Sequence, residues 1–89
     1  MSKNLFTVYI LYSAVVDRYF VGESKDFERQ FKRHNSGKNP HTKSGIPWRT
    51  VLIERYKSRA ESKGRLEKLR SSNDRRELVR AIRSERNEI

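Results

Sequence analysis

Residues 7–38 read TVYILYSAVVDRYFVGESKDFERQFKRHNSGK, and this run decides the fold. Side chains alternate along a strand, so over residues 5–13 Tyr9 and Leu11 fall on one side and Val8, Ile10 and Tyr12 on the other. Both sides are apolar, which suits a central strand covered on two faces. Ala14 to Arg18 supply a turn with Asp17 as a turn residue, Tyr19, Phe20 and Val21 resume the strand, and Gly22 ends it. The pair reads as an antiparallel hairpin. Ser24 is the expected N-cap of a helix, with Asp26 and Glu28 in its first turn opposing the helix dipole. Phe27, Phe31 and His34 recur at i, i+4 and i+7 as one buried face, while Lys25, Arg29, Lys32 and Arg33 lie toward the other side. Asn35-Ser36-Gly37 stops the helix.

Working outward, residues 38–47 (KNPHTKSGIP) form a loop, because two prolines and a glycine forbid long regular structure. Residues 48–56 (WRTVLIERY) are rich in aromatic and β-branched side chains and predict a third strand. Ser58-Arg59-Ala60-Glu61 is a capping box, so a helix starts there, with Leu66 and Leu69 on its apolar face and Gly64 inside it. Asn73 or Asp74 caps a last helix that turns Leu78, Val79 and Ile82 inward. The order is β-β-α-loop-β-α-α, an α+β fold with a small antiparallel sheet and helices against it. One domain is expected over residues 1–83, followed by a polar tail at 84–89.

The chain of 89 residues is 34% hydrophobic and carries 21 Lys and Arg against 11 Asp and Glu, a net charge of +10. Positive charge at that density repels itself, so a polyanionic partner is the natural reading. The absence of cysteine excludes disulfides and cysteine-based zinc sites or catalysis. The apolar run in MSKNLFTVYIL is too short for a signal peptide, and no run reaches the roughly 20 apolar residues of a membrane span, so a cytoplasmic protein is expected.

Val8-Tyr9-Ile10, then Tyr19-Phe20-Val21-Gly22, then the basic helix ending His34-Asn35-Ser36-Gly37-Lys38 resemble the GIY-YIG nuclease superfamily, most closely its small single-domain bacterial members. Thr42-Lys43-Ser44-Gly45-Ile46-Pro47-Trp48 and Ser58-Arg59-Ala60-Glu61 look like the same subgroup, and the likeness runs from Leu5 to Ile82. The resemblance implies a three-stranded antiparallel sheet flanked by helices, and cleavage of a phosphodiester with one divalent metal, Mg2+ or Mn2+. It implies two tyrosines from the hairpin, an arginine and a His or Tyr from the first helix, and a metal-binding glutamate from a later one. Tyr9 matches the first tyrosine and His34 the His-or-Tyr position. Phe20 falls on the second tyrosine, Gln30 on the arginine and Leu66 on the glutamate. The glycine that opens the first half-motif is absent.

These departures bear on chemistry. Phe20 keeps the ring but loses the oxygen, and general acid–base assistance is worth roughly 10²–10⁴-fold. Gln30 offers one neutral hydrogen bond where an arginine fork would neutralise developing charge. Leu66 cannot coordinate a metal, and without one the Lewis-acid stabilisation of the phosphoryl oxygens goes too. Tyr19, Arg29 and Glu67 each stand one residue away, but one step reverses a strand face and turns a helix by about 100°. Three readings follow. The leading one is a nucleic-acid-binding domain with a degenerate site, DNA before RNA. The second is a working endonuclease using Glu67, Glu61 or Glu23 in place of the missing acid. The third is a domain for an acidic protein partner. Tyr9, His34 and Trp48 each also suit simple packing, and the basic residues suit a solvated face. Cations suited to phosphate are Lys25, Arg29, Lys32, Arg33, Lys38, Lys43 and Arg49, with Arg65 and Lys68 beyond them. Oligomeric state is not legible.

Overall fold

The structure, a computed structural model, describes residues 5–71 together with residues 80 and 82. Strand β1 spans Phe6–Ser13, β2 Arg18–Ser24 and β3 Trp48–Tyr56, in the order β2-β1-β3 with both pairings antiparallel. Helix α1 spans Phe27–Asn35 and α2 Arg59–Ser71, and a short 3-10 turn occupies Lys43–Gly45. The α+β sheet-and-helix expectation holds, with β1 at the centre.

The two-sided apolar pattern of β1 divides the core in two. On one face Val8, Ile10, Leu52 and Leu69 form a cluster, with Tyr19, Val21 and Ile82 packed on it. On the other face Tyr9, Leu11 and Trp48 gather Phe20, Phe27, Phe31 and Ile46. Helix α2 therefore covers the first face and α1 the second. Burying a Leu or Ile side chain contributes about 1.5–3 kcal/mol, so a strand buried on both faces concentrates much of the stability of a small chain.

Two local expectations are corrected. Gly22 does not end β2, because the ladder continues through Val8–Glu23 to Thr7–Ser24. Ser24, held in that ladder, does not cap α1. Its Oγ accepts from the Asp26 N–H at 2.9 Å, and Asp26 caps instead, its carboxylate accepting from the Arg29 N–H at 3.2 Å. At α2 the Ser58 cap is as expected: its Oγ accepts from the Glu61 N–H at 3.2 Å and donates to the Glu61 carboxylate at 3.0 Å. The loop before β3 is irregular apart from the 3-10 turn, and the Ile46–Pro47 peptide is cis. Arg80 and Ile82 are helical. The Asn73 or Asp74 cap, Leu78, Val79 and the tail lie outside the described residues.

Candidate functional site

Tyr9 points from the central strand toward α1, and its ring crosses the neighbouring strand at Gly22. A Cβ at Gly22 would lie 2.6 Å from the Tyr9 Cζ and hydroxyl oxygen, so only glycine lets the ring pass. The hydroxyl then meets His34 Nε2 at 3.2 Å, and His34 Nδ1 meets Thr42 Oγ1 at 3.0 Å. The Thr42 carbonyl accepts from the Trp48 indole N–H at 2.7 Å. Asn35 follows His34 at the end of α1 and clamps the start of β3. Its amide donates to the Trp48 carbonyl at 3.0 Å, and its carbonyl oxygen accepts from the Trp48 N–H at 2.6 Å. A chain of polar contacts thus joins β1, α1, the loop and β3 through buried Tyr9, His34 and Thr42.

Burial pushes the Tyr9 phenol above its ordinary value, opposed by the positive charge of Arg70. Burial, and then the Arg33 charge, hold His34 below the usual imidazole value. Both shifts favour the neutral form of their group, phenol and imidazole alike.

Phe20 completes the cluster. Its ring lies 4.6 Å from the His34 ring, 6.4 Å from Tyr9 and 6.5 Å from Trp48, centroid to centroid. Gln30 is half-buried one helical turn before His34, on the same side of α1. Leu66, also half-buried, shares the inward stripe of α2 with Ser62 and Leu69. One turn further on, Arg70 reaches the edge of β2 and forks onto the Val21 carbonyl, Nε at 3.3 Å and Nη2 at 3.1 Å. That puts a guanidinium beside the strand edge where the Tyr9 ring crosses. Sequence reasoning missed Arg70 and Thr42, because both contacts depend on the path of the chain and leave no local pattern.

The remaining candidates are distributed. Lys25, Arg29, Lys32, Arg33, Lys38, Lys43 and Arg49 are all exposed. Lys25 lies 5.3 Å over the Phe6 ring. Arg49 lies 5.5 Å over Tyr12, on the α2 side of the sheet, so it does not join the cations of α1. Lys68 is exposed on α2, whereas Arg65 is engaged with Glu54 at 2.8 Å. Among the carboxylates, Glu23 stands across from Val8 on the α2 side and accepts from the Ser62 hydroxyl. Glu61 is held by the Ser58 cap, and Glu67 is exposed. Family resemblance implies a metal anchored by a glutamate at position 66. The leucine there has no donor atom, and among the described residues no group of three or more His, Asp or Glu side chains is gathered to hold an ion, so the residues present do not fit the metal.

Among the described residues no helix is long and apolar enough to cross a membrane. Comparison with curated proteins and with solved structures gives no significant match. The family model described as the GIY-YIG catalytic domain matches residues 5–77, a span that holds the hairpin, the Tyr9–His34 pair and both helices. With most of its length in that match and the expected sheet and helices in place, the chain belongs to the GIY-YIG catalytic domain family.

Proposed function

We propose that this protein is a nucleic-acid-binding GIY-YIG domain, directed at DNA before RNA, that has lost most or all of its cleavage chemistry. The observation that carries the reading is the Phe20 ring, packed 4.6 Å from His34 where the family resemblance calls for a tyrosine hydroxyl. The scaffold group Tyr9–His34 is kept, and the oxygen beside it is not. Gln30 and Leu66 extend the same loss to the guanidinium and the carboxylate. The net charge of +10 and the exposed cations of α1 keep the attraction for a phosphate backbone. Affinity from such contacts carries no base sequence, so recognition by shape or structure is the expected mode.

The test is cleavage of linear and branched DNA by pure protein with Mg2+ or Mn2+. The native chain is expected to bind and not cut. A Phe20→Tyr, Gln30→Arg, Leu66→Glu triple variant is expected to gain metal-dependent cleavage, with no single substitution sufficing, because such groups act as a unit. Robust cutting by the native chain that disappears in Tyr9→Phe would overturn the inactive reading in favour of substitute ligands.

A further inference from the structure

Beside the Tyr9–His34 pair a cleft of about 610 Å3 opens between the end of the hairpin and the loop before β3. Arg18, Tyr19 and Phe20 line it from β2, His41 and Ser44 from the loop, and Trp48 from β3. We propose that this cleft receives one unstacked base of the bound nucleic acid; the inference rests on the nucleic-acid reading above and adds to it which part of the ligand enters.

Three features converge on a base. Volumes of about 300–1,000 Å3 suit a nucleotide-sized ligand. The lining combines aromatic rings with hydroxyls and cationic or neutral nitrogen groups, and the described lining carries no carboxylate. Aromatic side chains hold unstacked bases by their π-faces, and a guanidinium holds the adjoining phosphate. Phe20 presents the accessible ring, since it is half-buried, while Trp48 is 6% exposed and contributes an edge. Arg18 is exposed at the mouth.

The walls are fixed in advance. Gly45 lets the loop lie against the indole, because a Cβ there would meet Trp48 at 2.4 Å. The Thr42 carbonyl holds the indole N–H, and the Asn35 clamp holds the Trp48 backbone. A base therefore enters a formed cleft and does not have to build one. Phe20 belongs both to the cleft and to the Tyr9–His34 cluster, so the ring offered to a base is backed by that buried pair.

Trp48 is the sole tryptophan, so intrinsic fluorescence reports on the cleft. The probes are a DNA duplex with one bulged adenosine, the same duplex with an abasic bulge, and a fully paired duplex. The bulged adenosine is expected to bind about tenfold tighter than the abasic bulge and to change Trp48 emission. Ser44→Phe, which fills the cleft from an exposed position, is expected to erase that difference. Equal affinity for base and abasic bulges, a comparison that needs no variant, would overturn the proposal even while paired DNA binds. Failure of all three DNAs to bind would remove the nucleic-acid reading, and this inference with it.

Discussion

At the scale of single residues, the site depends on what Gly22 omits. The Tyr9 ring lies across it, so Gly22→Ala forces the ring or the strand to move. Overpacking of this kind costs about 1–3 kcal/mol, and the expected result is a lower denaturation midpoint with an unchanged m-value. His34 is the second sensitive residue. Its folded pKa is lowered by burial and by Arg33, so the unfolded chain takes up protons first as pH falls. Its contribution to stability is complete above the unfolded value of about 6.5 and is lost as pH falls through the folded value. Thermal melts from pH 8 to pH 5 are expected to show this loss in the native chain and less of it in His34→Gln. Of this site, Tyr9, His34 and Phe20 were legible as a set through the family resemblance, while periodicity alone put only Tyr9 with Leu11 on one strand face and His34 with Phe27 and Phe31 on one helix face. Thr42 was not, since a threonine in an irregular loop has no periodicity to read.

Elements meet at a few joints, and the Asn35 clamp is the clearest. One amide at the end of α1 satisfies both backbone groups of Trp48, so β3 begins at a set height against the helix. Asn35→Ala leaves both groups without that partner, and half-buried groups so stranded cost about 1–3 kcal/mol. The expected outcome is a loss of that size in denaturant unfolding, with faster hydrogen exchange at the Trp48 amide. Strands and helices were readable in outline, and the boundary between β2 and α1 shows where local reading stops. Ser24 and Asp26 are both good caps, and the choice falls to Asp26 because Ser24 is still paired with Thr7. Nothing within two residues of Ser24 encodes that pairing. The Ser58 cap was read correctly because both partners of its box lie on one helix turn.

At the scale of the molecule, the described cations stand on both sides of the sheet. The cations of α1 face away from the sheet on the Tyr9 side, while Arg49 and Lys68 belong to the other side. A single polyanion bound at α1 should therefore feel Lys32 and Arg33 more than Arg49. Replacing Lys32 and Arg33 with Gln is expected to lower the slope of log affinity against log salt by about 2, roughly one per lost phosphate contact, whereas Arg49→Gln leaves it nearly unchanged. Titration of a DNA duplex at several salt concentrations checks this. The grip of Arg70 on the Val21 carbonyl has a separate consequence. β2 is an outer strand among the described residues, and the outward backbone of such a strand is a template on which another chain can add. A guanidinium seated on the Val21 carbonyl occupies one acceptor that hydrogen-bonded docking of a foreign strand would need, which disfavours strand addition at that point of the edge.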